Sequence, residues 1–208
     1  MLSAQQTAKK YVLIEHFTNS KCSICASKNP AFYSLIGQAQ YADDVHHIAI
    51  HPSFPYNTCV FYLANTIENN AWTSLYPGVQ GTPTIAINGA LQNPTNPMLS
   101  EAKLQPFLNQ TSPLSIQVTE GGTNAARTVQ VKAKALGDIP VGNYKIFVAI
   151  AEKTVNQVTS NGEAVHHDVF RKMLTAVAGD PFRPPATGGS GDSNFTFSMP
   201  NHGKAGQG

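Results

Sequence analysis

The sequence predicts an α/β domain followed by a small all-β domain. Three observations carry this expectation. A near-continuous apolar run, Tyr11-Val-Leu-Ile-Glu-His-Phe17, leads through a short loop into a helical pattern, with Cys22-Ser23-Ile24-Cys25 at the junction. A second apolar run, Thr84-Ile-Ala-Ile-Asn88, follows a loop containing Gly81-Thr82-Pro83. From Leu114 onward the mixed spacing gives way to strict alternation.

In chain order, residues 1–10 are polar and lack the apolar core of a signal peptide, so they read as a mature start after a removed leader. Residues 11–17 read as a central strand covered on both faces. Phe32, Leu35, Ile36 and Ala39 then recur at helical spacing, so a helix is expected from Cys22 to about Ala39. Val45–His51 is the next strand, parallel to the first through a crossover. Cys59, Tyr62, Leu63, Thr66 and Ile67 predict one helix from about Thr58 to Trp72. Thr84–Asn88 is a strand pairing antiparallel with its neighbours, and Asn88-Gly89 marks a tight hairpin turn. Ser100–Leu108 is a closing helix, bent or ended by Pro106.

The boundary is placed at Asn109–Pro113. Beyond it, strands are expected at Leu114–Thr119, Arg127–Ala135, Asn143–Ala151, Val169–Val177 and Asn194–Met199, separated by Gly/Asn/Asp/Pro clusters. Residues 178–193, rich in Gly and Pro, read as a surface loop. The tail 202–208 has no periodicity, and there is no internal repeat.

Composition narrows the class. The formal charge is +2 with no Lys/Arg cluster, which speaks against a nucleic-acid partner. Only 12% of the residues are charged, about half the usual quarter. Asn, Gln, Ser and Thr carry the surface instead, as in exported proteins. No apolar run approaches the roughly 20 residues of a membrane span. The 3 cysteines are too few for a disulfide scaffold and fit one pair plus one extra.

Cys22 and Cys25 carry the clearest chemistry. A helix N-terminus presents unpaired N–H groups and the positive end of the macrodipole, which favour a thiolate, the nucleophilic form. Lys21 adds positive charge beside Cys22. Two cysteines at this spacing can also close a disulfide, so the stretch can hold or release two electrons. The tetrapeptide alone also fits half a zinc site or a structural staple.

The strand–loop–helix with C-x-x-C, joined to Gly81-Thr-Pro-Thr84, an apolar strand and an Asn-Gly turn, resembles the thioredoxin superfamily. Pro30, five residues after Cys25, matches that family's helix-kinking proline. Glu15-His-Phe-Thr18 followed by Cys22, and His166-His-Asp-Val-Phe-Arg-Lys-Met-Leu-Thr175, resemble the Omp28-related extracytoplasmic proteins of Bacteroidetes. The alternation over 112–208 reads as a small all-β, Ig-like sandwich that lacks a closing apolar run, and the resemblance implies an α/β thioredoxin-like domain over residues 1–111. It implies a cis bond before Pro83, with Thr82 and Pro83 positioning a substrate backbone beside the cysteines. Cys22 is then the attacking and Cys25 the resolving thiol, Glu15 or His16 the proton acceptor, and Lys21 the thiolate-stabilising cation. Ser23-Ile24 replaces the Gly-Pro of thioredoxin, and His16 stands where its buried acid would be.

The implied activity is extracytoplasmic thiol–disulfide exchange with protein thiols or disulfides. It needs no cofactor and no metal, in the periplasm, at the outer membrane or outside the cell. The alternative is a cell-surface binding or structural module whose C-x-x-C is a permanent staple. Cys59 is expected to be a buried, unpaired thiol on a helix face, with a third redox thiol as the other reading. Cys22, Cys25, Cys59 and His51 would make a tetrahedral zinc set, but the proline loop argues for redox. His46 and His47 read as edge residues, and His166-His167-Asp168 as an exposed turn, with a metal site as the other reading.

Overall fold

The computed structural model describes residues 6–123 and 125–198. The first five residues, the expected tail 202–208 and the last residue of the expected strand 194–199 lie outside the described residues.

The elements run β1 (Ala8–Lys9), β2 (Val12–Phe17), α1 (Ser23–Ile36), β3 (Val45–Ile50), α2 (Val60–Leu63), α3 (Thr66–Ser74), β4 (Thr84–Ile87), β5 (Ala90–Leu91), α4 (Glu101–Leu104), β6 (Thr111–Ser112), β7 (Leu114–Thr123), β8 (Ala126–Ala135), β9 (Tyr144–Ile146), β10 (Ala149–Asn156), β11 (Val165–Met173), β12 (Asp180–Phe182) and β13 (Ser190–Phe197). They form two compact units. The larger comprises Lys10–Gln110 and Ile146–Asp180; the smaller takes the other described residues.

The larger unit is built on a six-stranded sheet in the order β10-β11-β3-β2-β4-β5. β2 and β3 are parallel, with Val12 opposite Val45 and Phe17 opposite Ile50. β4 runs antiparallel to β2, with Ile14 opposite Ile87. Apolar residues point to both faces, as in a strand covered on each side. Val12, Ile14, Ile85 and Ile87 pack with Phe32 of α1 and Leu104 of α4. Phe17, Ile48 and Ile50 pack on the other face with Trp72 of α3 and Phe170 of β11.

Local chemistry explains most element ends. α1 starts at Cys22, whose side chain accepts from the Cys25 amide, and stops at Gly37. Asn88 and Gly89 both have positive φ, 49° and 79°, which closes the β4–β5 hairpin. The single helix expected over 58–72 is two. Asn65 caps a new start, accepting from the Glu68 amide at 3.2 Å while its own amide meets the Glu68 carboxylate. Asn65-x-x-Glu68 is therefore a capping pair that overrides the continuous apolar spacing. The closing helix shrinks to α4 and a 3-10 turn over Gln105–Phe107, with Pro106 inside that turn.

The expected division into 1–111 and 112–208 is corrected. β10 and β11, placed by their alternation in the second domain, join the first sheet, where Val169 of β11 pairs with Ala49 of β3. Val169, Phe170 and Met173 are buried there. Alternation identifies a strand but not its partner, and β3 needed a neighbour on its open side. The smaller unit keeps a three-stranded antiparallel sheet, β13-β8-β7, and the short β1–β6 pair. Along β8, Val129, Val131, Ala133 and Ala135 are buried in alternation. On its neighbour β7, Ile116 and Val118 are exposed.

Candidate functional site

The loops after β2 and β3 and the loop before β4 converge at one end of the large sheet. Buried Asn19, just after β2, ties two of them together: its amide donates to the carbonyls of Pro52, Phe54 and Tyr56. The Asn19 carbonyl accepts the Cys22 amide at 3.0 Å. Cys22 thus sits at the N-cap of α1, and its sulfur takes the role usually held by a Ser or Asp oxygen. The Cys25 amide donates to it at 3.1 Å. From the third loop, the Thr82 carbonyl lies 3.6 Å from the Cys22 sulfur. The Thr82–Pro83 bond is cis, as are Phe54–Pro55 and Asn96–Pro97.

All three cysteines are free thiols and buried. Burial, reinforced by the neighbouring Cys22 thiol, pushes the Cys25 thiol up to about 12, with Thr82 and Thr18 pulling the other way. Cys59 lies on buried Ser20, whose hydroxyl is 3.1 Å from its sulfur. Lys21 reaches away: its ammonium donates to the Thr58 hydroxyl at 2.9 Å.

Glu15 and His16 separate, because consecutive residues of a strand face opposite ways. Glu15 lies on the α3 face, away from the cysteine helix. Its carboxylate accepts from the Trp72 indole at 2.8 Å and from the Tyr76 hydroxyl. Burial and the Glu15 carboxylate hold the Tyr76 phenol above its ordinary range. His16 lies on the α1 face against Phe32, ring centroids 4.8 Å apart. Its Nδ1 is 3.3 Å from His47 Nε2, and His47 Nδ1 is 3.0 Å from the Asp168 carboxylate. Burial lowers His16 well below its usual value, with His47 and His51 adding to the effect. Burial lowers His47 too, against the opposing pull of Asp168.

Two expectations about histidines are corrected here. His47 is not an edge residue, since β11 covers β3 and buries it. His166 to Asp168 is not an exposed turn but part of β11. His166 is buried, and Asp168 takes a positive φ of 49° in carrying its carboxylate to His47. His51 is fully buried beside Phe61, 4.9 Å between centroids. Among the described residues no cluster of three or more His, Cys, Asp or Glu is arranged to hold a metal.

The residues that sequence reasoning missed come from the loop between β10 and β11. Glu163 accepts from the Asn29 amide at 2.7 Å and the Asn161 amide at 2.6 Å. Asn161 also donates to the Cys22 carbonyl at 3.2 Å, and Asn29 to the Thr18 hydroxyl at 3.2 Å. Asn29 left a signal: it falls with Cys25 and Phe32 on the buried face of α1 at i, i+4 and i+7. Asn161 and Glu163 left none.

No family model matches the sequence, and no curated protein matches it. Among solved structures it is similar to HBP35 of Porphyromonas gingivalis, with a TM-score of 0.75 at 17% identity. The match covers 92% of this chain but 65% of that one, so the chain spans less than two thirds of that structure's length. Among the described residues no helix is long and apolar enough to cross a membrane. At this identity the likeness establishes a shared fold and nothing about activity.

Proposed function

We propose that the larger unit is a thioredoxin-like domain of the Omp28-related kind. We propose that it performs thiol–disulfide exchange with protein partners in the periplasm, at the outer membrane or outside the cell. The observation that carries this is the Cys22 sulfur, held at the N-terminus of α1 by the Cys25 amide and faced by the Thr82 carbonyl. The Cys22 thiolate attacks a partner disulfide, forming a mixed disulfide and releasing one partner thiolate. Cys25, once deprotonated, attacks the Cys22 sulfur, closes the Cys22–Cys25 disulfide and releases the second thiolate. The two electrons lost by the pair reduce the partner. No cofactor takes part; a second thiol protein restores the dithiol.

Three positions carry changed weight in this reading. Glu15, bound to Trp72 and Tyr76 on the far face, is a structural anchor, so His16 is the proton-acceptor candidate left on the helix side. Lys21, held by Thr58, acts on Cys22 only as a nearby charge. Thr82 and Pro83 retain the substrate-positioning role. The test is reduction of a peptide disulfide by the prereduced protein. Stoichiometric reduction that Cys22→Ser abolishes supports the proposal; inertness of the folded, reduced protein overturns it.

A second reading rests on Ile116 and Val118, exposed on one face of β7. They suit a binding module on the smaller unit, with the cysteine pair as a staple.

A further inference from the structure

The backbone of Cys22 is pinned on both sides. Its amide donates to the Asn19 carbonyl at 3.0 Å, and its carbonyl accepts the Ala26 amide at 3.1 Å in the first turn of α1. A second donor reaches that carbonyl from the loop between β10 and β11. It is Asn161 Nδ2, 3.2 Å away and 139 residues later in the chain. The same Nδ2 lies 3.5 Å from the Asn19 carbonyl. The Cys22 carbonyl already has a partner within the helix, so Asn161 rescues no unpaired group there. What it adds is a fixed position for the residue that starts the helix.

The loop holds that amide one way round. Asn161 Oδ1 accepts from the Glu163 amide at 3.2 Å and from the Thr159 hydroxyl at 2.8 Å. Its Nδ2 donates to one Glu163 carboxylate oxygen at 2.6 Å. A flipped amide would set its oxygen against two acceptors, the Glu163 carboxylate and the Cys22 carbonyl, and its NH2 against the Glu163 N–H. Gly162, between the two residues, has a φ of 92°, which glycine adopts without strain. Glu163 is anchored in turn on the helix, its other oxygen accepting from buried Asn29 at 2.7 Å. That bond leaves the Asn29 carbonyl oxygen buried with no hydrogen-bond partner among the described residues, against the usual pairing of buried polar atoms.

We propose that Asn161, oriented by Thr159 and Glu163, is a positioning residue for Cys22: it clamps the backbone at the start of α1 so that the Cys22 sulfur stays on the Cys25 amide, 3.1 Å away. This rests on the exchange reading above. The amide bond stabilises an ionised Cys22 sulfur and is given up when that sulfur joins Cys25 in a disulfide. The clamp therefore favours the dithiol and makes the pair the stronger oxidant. Strands that return late in the chain thus complete the site begun by Cys22-x-x-Cys25.

Equilibration of the full chain with glutathione reads the clamp. Each Cys22–Cys25 disulfide that closes passes two electrons to one glutathione disulfide and reduces it to two thiols. Deleting a hydrogen bond to an ionised group lowers its population about tenfold or more. Asn161→Ala loosens the bond from the Cys25 amide without deleting it, so the equilibrium should move about threefold toward the chain's disulfide. Thr159→Val, which removes one bond orienting the amide and alters no charge, should move it the same way by about twofold. The double variant should move it no further than Asn161→Ala alone, because Thr159 acts through Asn161. The pH profile of Cys22 labelling by iodoacetamide should shift upward in the same variants, which a merely structural contact would not produce. Val158→Ser, at an exposed position of the same loop, should change neither readout. An unshifted equilibrium in folded Asn161→Ala, or in Thr159→Val should the first variant not fold, overturns the proposal, and so does an equal shift from Val158→Ser. If the unaltered protein stays fully oxidised across the glutathione range, the exchange reading fails instead.

Discussion

His47 Nδ1 lies 3.0 Å from the Asp168 carboxylate, joining β3 to a strand 121 residues later. The carboxylate fixes the proton on that nitrogen, so Nε2 is left to accept from His16 Nδ1. The neutral forms of both rings are therefore built into the sheet.

This makes folding stability fall in acid. Burial, with His166 and Arg171 adding, lowers His51 to about 3, and burial also leads the lowering of His16 and His47. A histidine with a depressed folded pKa binds fewer protons folded than unfolded. Its contribution is complete above the unfolded value near 6.5 and is lost as pH falls toward the folded value. His51 alone then costs about 2 kcal/mol between pH 7.5 and pH 5. Urea unfolding at the two pH values measures it; a midpoint that does not move contradicts the buried neutral rings.

Asp168→Asn removes the charge that offsets the burial of His47. Burial raises the Asp168 carboxyl, but its hydrogen bond to His47 and the nearby Lys153 pull the other way and leave the group below its usual value. The expected loss at pH 7 is about 1.5–3 kcal/mol, the range for a hydrogen bond to a charged group. A loss smaller than about 0.5 kcal/mol contradicts a structural role for the pair.

Glu15→Gln separates anchoring from proton transfer. Replacing the carboxylate weakens two charge-assisted bonds, to Trp72 and Tyr76, so denaturant unfolding should show a loss of about 2 kcal/mol. The resolving phase of thiol exchange should change by less than twofold, since Glu15 lies on the other sheet face. A tenfold slowing with stability retained would return Glu15 to the proton route.

Alkylation should follow the geometry of the three thiols. Cys22, at the N-cap and beside the surface loops, should label first. Cys25, fully buried with a raised pKa, and Cys59, fully buried on Ser20, should stay slow until the protein is unfolded. Fast labelling of Cys59 in the folded protein contradicts this placement.

The parts of the fold written locally were legible. The run 11–17, the cysteines at a helix start, the parallel partner at 45–51 and the Asn88-Gly89 turn each rest on residues close in sequence, and each has its counterpart in the structure. The Asn65–Glu68 cap is equally local, but the continuous apolar spacing across it predicts one helix where the structure has two. What could not be read is pairing over long separations. Alternation in 149–156 and 165–173 is the same whether those strands close a second sheet or extend the first. Likewise nothing near Glu163 announces a partner 134 residues earlier, so this part of the polar surroundings of the cysteines was invisible.

The Cys22–Cys25 pair is proposed to cycle rather than to staple. Equilibration with glutathione across its range of ratios, read by alkylation mass shift, tests this most directly. The expected reduction potential lies at or above about −270 mV, in the range of working oxidoreductases, with both states populated across the titration. A pair that stays fully oxidised throughout, with a potential below about −300 mV, would contradict it.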